Sequence, residues 1–123
     1  MVDHAITGLM LVVAAIHLIP ITGFFGRERL AALYGIEIES PGLEILMRHR
    51  AVLFGILGVF FAYASFKPAL QPIAFVAATV SIASFFYLAS AVGNYGRPIR
   101  KVIIGDIIAA AALAAAVALS ATR

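Results

Sequence analysis

The chain contains no cysteine and few charged residues, and each of these scarcities excludes a class of function. Without cysteine there can be no disulfide, no thiol redox chemistry and no thiolate metal site. Charged residues make up 12% of the 123 residues and hydrophobic residues 63%, so the polar side chains are too few to cover a water-soluble globule. The nine Lys and Arg residues, with a formal net charge of +3, are also too few for a nucleic-acid surface, and we expect no nucleic-acid partner.

The apolar residues that dominate the chain indicate that its solvent is lipid. The mean hydropathy is +1.07. A membrane-spanning helix needs about 20 apolar residues, so four spans with short connections occupy residues 1–123 and leave room for one transmembrane domain only. We therefore predict an all-α integral membrane bundle of four transmembrane helices. The first apolar stretch has neither a basic leader nor a small-residue cleavage site, which favours a retained span over a removable signal peptide.

Four spans are predicted at about residues 4–23, 41–66, 71–92 and 99–121. Pro20 should loosen the last turn of the first span. Ser40 and Pro41 supply a capping hydroxyl and a first-turn proline for the second. The longest connection contains residues 27–34 (RERLAALY), where leucine and tyrosine side chains share one face, and this pattern predicts a short amphipathic helix at the membrane interface.

Basic residues are concentrated on one side of the predicted topology. Lys67 and Arg123 fall on one side, and the other seven fall on the opposite side: Arg27, Arg29, Arg48, Arg50, Arg97, Arg100 and Lys101. The positive-inside rule then predicts a multi-pass protein with its first loop in the cytoplasm and both termini outside it, by default in a bacterial inner membrane. This bias argues against dual-topology transporters and fluoride channels of similar size. The basic residues are also expected to contact anionic lipid headgroups.

Asp106 is the most informative residue, because a charge at membrane depth is costly and usually faces a partner or a cavity. At 1.5 Å per residue it lies on the order of 10 Å below the start of the fourth span, and His17 and Tyr87 reach about the same depth from the same side. Arg50 can extend to that layer, so these four are the predicted catalytic residues. Five further residues are predicted to bind a ligand: Arg48 and His49, and at the mouth of the layer Asn94, Tyr95 and Arg97.

These side chains suit a pocket for a small, partly apolar molecule, and acid/base chemistry such as an isomerisation. Asp106 or His17 would act as the base, and Arg50 or Tyr87 would stabilise developing negative charge. Two structural interpretations remain open: Asp106 could form an ion pair with an arginine (Arg48 or Arg50) that only holds two helices together, and His17 could be hydrogen-bonded to a backbone or hydroxyl group.

No cofactor is evident from the sequence. Ligation of a haem by His17 and His49 is geometrically conceivable. A divalent metal held by these histidines and Asp106 lacks a supporting HxxE or HxxxH spacing, so no metal site is predicted.

A non-catalytic role as a membrane subunit or scaffold is the main alternative. Small residues recur at Gly55 and Gly58, at Ser81 and Ser84, and along residues 109–116, and such faces serve either tight intramolecular packing or a homo-oligomer. A transporter is disfavoured because no continuous polar stripe runs through the outer half of the spans.

Four segments carry a resemblance to a known group of proteins: residues 27–35 (RERLAALYG), 46–58 (LMRHRAVLFGILG), 66–73 (FKPALQPI) and 94–106. Together they resemble small bacterial four-helix membrane proteins of unknown function, which are similar to the DoxX-like membrane proteins. The resemblance covers essentially the whole chain and implies the four-helix fold with a polar layer.

Sequences of this type often carry the name phosphopantetheine adenylyltransferase. The residues contradict that activity, because the chain has no HxGH-type nucleotide motif and no strand pattern. The DoxX-like families are associated with redox or quinone partners, and this chain has no redox residue of its own to carry that role.

Overall fold

The structure is a computed structural model that describes residues 2–123, and every regular element in that range is helical. The five α-helices are α1 (Val2–Leu18), α2 (Arg27–Tyr34), α3 (Pro41–Ala64), α4 (Gln71–Val92) and α5 (Arg97–Ala121). Two 3-10 segments complete the chain, at Ile19–Phe25 and at Pro68–Leu70. The predicted all-α four-helix class, with a short helix in the first loop, is confirmed.

Four helical segments are long and apolar enough to cross a membrane: Val2–Phe25, Pro41–Ala64, Pro68–Val92 and Arg97–Ala121. Each has 24 or 25 residues. At 1.5 Å per residue this corresponds to roughly 36 Å or more, which exceeds the ~30 Å hydrocarbon core of a bilayer. The chain is therefore a membrane-spanning protein.

The ends of the helices follow local sequence signals. α1 stops at Leu18, five residues before the expected end, because Pro20 has no N–H to continue the α-helical hydrogen bonds, and the chain continues as a 3-10 helix to Phe25. At the start of α3 the expected cap is present, with the Leu43 backbone N–H donating to the Ser40 hydroxyl over 3.1 Å. α5 begins at Arg97, two residues earlier than expected.

α1 lies at the centre of the bundle, packed against α3 on one side and α5 on the other. α4 packs mainly on α5 and touches α3 lightly. Two glycines let α3 approach the first span closely: a Cβ at Gly58 would lie 2.5 Å from Leu18 Cγ, and one at Gly55 would lie 2.6 Å from Ile21 Cδ1. The core between the helices consists of aliphatic and aromatic side chains such as Ile6, Met10, Phe61, Ala74, Ala109 and Leu113.

The two ends of the bundle differ in charge. We call one end the basic end; it contains the 3-10 segment Ile19–Phe25, α2 and the first turns of α3 and α5, with the seven basic residues named above. α2 is attached there by its buried residues Leu30 and Tyr34. Gly35 ends α2 in the left-handed conformation (φ 65°) and packs against Pro98 of α5.

The opposite end is held together by Arg123. Its guanidinium donates to the Asp3 carboxylate over 2.9 Å and to the Gln71 side-chain oxygen over 2.8 Å. The Gln71 amide in turn donates to the carbonyl oxygens of Ala64 and Ser65. These contacts join the ends of α1, α3, α4 and α5.

Candidate functional site

A cavity of about 360 Å³ lies at the basic end, and all five α-helices contribute to its wall. α5 presents one helical face to it, with residues at spacings of three and four that include Lys101, Val102, Gly105 and Asp106. Most of the wall is apolar. Its apolar residues, besides Val102, are Ile16, Ile19, Pro20, Ala32, Leu33, Phe54, Phe85 and Pro98.

Asp106 is half-buried in this wall. Lys101 is five residues nearer the start of α5, so the carboxyl lies roughly 7 Å deeper along the helix. Among residues 2–123 Asp106 forms neither an ion pair nor a side-chain hydrogen bond. The described residues therefore do not contain the ion pair between Asp106 and Arg48 or Arg50 that the sequence left open.

Arg50 faces the same cavity and is held in place by two aromatic side chains. Its Nη1 donates to the Tyr34 hydroxyl over 2.6 Å. Its guanidinium carbon lies 4.5 Å from the centre of the Phe54 ring and 5.2 Å from that of Tyr34. A guanidinium has five N–H donors and this hydrogen bond uses one, so Arg50 keeps donors for a molecule in the cavity.

His17 is buried, and both of its ring nitrogens have partners. Nδ1 lies 3.0 Å from the Val13 carbonyl oxygen, which can only accept, so Nδ1 carries the proton. Nε2 lies 2.9 Å from the Ser81 hydroxyl, and in the neutral ring it accepts the hydroxyl proton. His17 thus links α1 to α4 beside the cavity. Either proton transfer or ligation of a haem iron by His17 would require one of these hydrogen bonds to break.

Tyr87 does not line the cavity. It lies on the outer face of α4 with 71% of its surface exposed, and Phe85 is the α4 residue in the wall. The structure therefore brings together three of the four predicted catalytic residues: His17, Arg50 and Asp106.

The five further residues predicted to bind a ligand do not line the cavity. His49, Asn94 and Arg97 are exposed and outside the wall of the cavity. Tyr95 borders a separate shallow depression on α4 and α5. Arg48 bonds to Glu44 and to the Phe24 carbonyl oxygen.

Three polar residues of the site were not among the predicted ones: Tyr34, Ser81 and Lys101. Tyr34 lies on the apolar face of the amphipathic segment, which could have suggested that it turns toward the bundle. Lys101 occurs with Gly105 at a spacing of four, on the helical face that carries the cavity. Ser81 had a weaker signal, since one hydroxyl in an apolar helix has no fixed direction.

The donors near the cavity do not form a metal-binding set. Within residues 2–123 no three His, Asp or Glu side chains come together in a way that could hold a metal ion. The cavity offers instead a carboxylate, a guanidinium and an ammonium group in an otherwise apolar wall. This chemistry is the basis for assigning a function, because comparisons of the chain with protein-family models, curated proteins and solved structures find no match.

Proposed function

We propose that this protein binds a small, largely apolar molecule in the cavity at the basic end and holds its polar group between Arg50 and Asp106. One observation carries the proposal: a guanidinium and a carboxylate face the same cavity, yet they are not paired with each other. Charges at membrane depth are costly when they lack a partner. A bound molecule with polar groups would satisfy both side chains.

The cavity limits the size and chemistry of that molecule. Its volume of about 360 Å³ is near the lower end of the roughly 300–1,000 Å³ typical of small-molecule sites. Arg50 would donate to a carbonyl or anionic oxygen, and Asp106 would accept from a hydroxyl or N–H group. The apolar part of the molecule would lie against the side chains of Leu33, Phe54 and Phe85.

The same arrangement would support an isomerisation of a carbonyl compound. In a β,γ-unsaturated carbonyl compound, Asp106 would take a proton from the carbon next to the carbonyl and return it to the γ carbon, as the double bond moves to the α,β position. Arg50 would hydrogen-bond the oxygen that carries negative charge in between. His17 has no part in this transfer, because both of its nitrogens are occupied by Val13 and Ser81.

The proposal places the protein in a bacterial inner membrane with the cavity toward the cytoplasm. It is supported by the concentration of seven of the nine Lys and Arg residues at the basic end, as the positive-inside rule describes. We also propose a distant relationship to the DoxX-like membrane proteins, based on the four segments given above.

Small molecules retained during purification test the binding function. Ala32 is exposed on α2 and lines the cavity, so the Ala32→Phe variant fills it with little cost to packing. Ala91 is equally exposed and lines no part of it, so Ala91→Phe is the matched control. After purification in mild detergent and solvent extraction, mass spectrometry should find a compound in the wild type and in Ala91→Phe that is depleted in Ala32→Phe and Asp106→Asn.

A second readout needs no knowledge of the ligand. Dicyclohexylcarbodiimide is an apolar reagent that modifies carboxyl groups, so it should give an adduct at Asp106 in the wild type and none there in Asp106→Asn. The adduct should form more slowly in Ala32→Phe than in Ala91→Phe. Equal retention of small molecules and equal labelling in these two variants would contradict the proposal and favour the scaffold role.

A further inference from the structure

A second hollow, on the outer face of α3, differs from the cavity in having an almost wholly apolar wall. It encloses about 700 Å³ between α3 and the 3-10 segment Ile19–Phe25. We call it the α3 groove. Phe24 and Phe25 form one side, Val52, Ile56 and Val59 form the other, and Tyr63 lies at its far end.

The α3 groove is about as long as a lipid chain in one leaflet of a bilayer. Along α3 it runs from Val52 to Tyr63, which is roughly 16 Å at 1.5 Å per residue. Half of the ~30 Å hydrocarbon core is about the same length. Because α3 is one of the spanning segments, the groove lies along the direction in which a lipid chain extends.

A cluster of charged side chains stands one helical turn beyond the groove, toward the basic end. Arg27 lies 2.9 Å from one oxygen of Glu44, and Arg48 lies 3.1 Å from the other. Arg48 Nε also donates to the Phe24 carbonyl oxygen over 2.8 Å, and its guanidinium carbon lies 5.4 Å from the centre of the Phe24 ring. The cluster is therefore attached directly to the groove wall.

This cluster has a net positive charge and N–H donors without a partner among the described residues. Two guanidinium groups and one carboxylate leave a net charge of about +1. In residues 2–123 neither Arg48 Nη2 nor Arg27 Nη1 has a hydrogen-bond partner. The two arginine side chains are 39% and 56% exposed, respectively, so these donors are accessible from outside the bundle. One phosphate diester would complement them in charge and accept their free N–H groups.

We propose that the α3 groove is a specific site for one anionic phospholipid. Its phosphate binds Arg48 and Arg27, and one acyl chain lies along α3 in the groove. A second copy of the chain is the less suitable occupant. In a two-fold dimer with its axis along the membrane normal, the same patch faces itself, so the two net positive clusters would meet at one level.

Native mass spectrometry from micelles containing equal amounts of phosphatidylglycerol and phosphatidylcholine tests the site. We expect the wild type to retain one phosphatidylglycerol in preference to phosphatidylcholine. Arg48→Gln should reduce this preference by about fivefold, since one cation near a membrane surface contributes ~1 kcal/mol. Arg100→Gln is the control, because Arg100 is also exposed at the basic end and has no side-chain partner within residues 2–123.

A second pair of variants tests the groove without changing a charge. Val59→Trp places an indole in the α3 groove, and Val80→Trp places one on a comparably exposed surface of α4; the valines are 62% and 63% exposed. Only Val59→Trp should lose the retained lipid. The pair also decides the result if Arg48→Gln fails to fold.

Three outcomes would overturn the proposal. They are equal retention of the two lipids by the wild type, equal lipid retention by Val59→Trp and Val80→Trp, and conversion of a dimer to a monomer in Val59→Trp without loss of lipid. The cavity at the basic end is tested separately, by Ala32→Phe.

Discussion

At the scale of single residues, His17 shows how a buried polar group can join distant parts of the bundle. It lies on α1, which packs against α3 and α5, while its partner Ser81 lies on α4. The hydrogen bond between them therefore joins α1 directly to α4. The Phe61 ring, edge-on at 4.9 Å between ring centres, keeps the imidazole enclosed. His17 thus connects the helix that packs most loosely to the centre.

Replacing Ser81 by alanine should weaken this connection. The Ser81→Ala variant leaves Nε2 of His17 without a donor in an apolar environment, and we expect a loss of about 1 kcal/mol in stability, typical of side-chain hydrogen bonds between membrane helices. Thermal unfolding in detergent would show this as a lower Tm.

Ser84→Ala is the matched control for this experiment. The Ser84 hydroxyl is exposed and bonds only to the Ser81 carbonyl oxygen of its own helix. Its loss should change the Tm much less. If the two variants lost equal stability, the hydrogen bond to His17 would have no special part in holding α4.

The depth of the site residues was predictable from the sequence, but their direction around the helix was only partly so. Rise per residue places His17, Arg50 and Asp106 in one layer, and all three line the cavity. Tyr87 has a suitable depth as well, yet it points outward. Phe85 and Tyr87 are two residues apart, which puts them on nearly opposite sides of α4. Residues 68–96 include no charged residue, so no contrast of polarity shows which side faces inward.

At the scale of whole elements, α3 packs closely on α1 at Gly58 and on the 3-10 segment Ile19–Phe25 at Gly55, because neither position carries a side chain. A Cβ at Gly58 would lie 3.2 Å from the backbone oxygen of Ala14 and still closer to Leu18. Small residues allow this close approach of backbones, which membrane helices use because lipid supplies no hydrophobic drive to bring them together.

Gly58→Ala should therefore be destabilising although alanine is the better helix former. The added methyl forces α1 and α3 apart, and we expect a loss of about 1–3 kcal/mol, as for other overpacked contacts. The change in Tm in detergent, or the denaturant needed to unfold the protein, would measure it.

Gly8→Ala provides the opposite expectation on α1. Among the described residues nothing lies within 4 Å of a Cβ at Gly8, so alanine adds only helix propensity and should stabilise the protein by up to about 1 kcal/mol. If Gly58→Ala also stabilised the protein, the close approach at Gly58 would contribute nothing.

Local signals account for most of the helix ends, and the exception has a physical cause. Ser40 and Pro41 begin α3 as their capping and backbone preferences require. The prediction of an α-helix to about residue 23 did not anticipate that Pro20 would be followed by a continuous 3-10 helix to Phe25. The packing of Ile21 against Gly55 involves residues far apart in sequence, and single-chain patterns do not contain that information.

At the scale of the whole molecule, the uneven distribution of charge bears on orientation in the membrane. The basic end has seven Lys and Arg residues, and the opposite end has Lys67 and Arg123. Lys67 precedes the short 3-10 turn Pro68–Leu70, and Glu37 follows α2 on the other side. These two exposed loop residues are separated by the full length of α3.

The absence of cysteine makes the proposed orientation simple to test. In intact bacterial cells, a membrane-impermeant maleimide should label Lys67→Cys at once and Glu37→Cys only after the inner membrane is opened. The wild-type chain has no thiol and gives the background. Labelling of Glu37→Cys alone in intact cells would reverse the proposed orientation, and equal labelling of both would indicate insertion in two orientations.

The 3-10 segment Ile19–Phe25 forms part of the wall of both the cavity and the α3 groove. Ile19 and Pro20 line the cavity, while Ile21, Phe24 and Phe25 line the α3 groove. Movement of this segment would therefore change the shape of both sites at once. If a molecule bound in one site moved the segment, it would change the affinity of the other site, and thermodynamic linkage requires that the effect be the same in both directions.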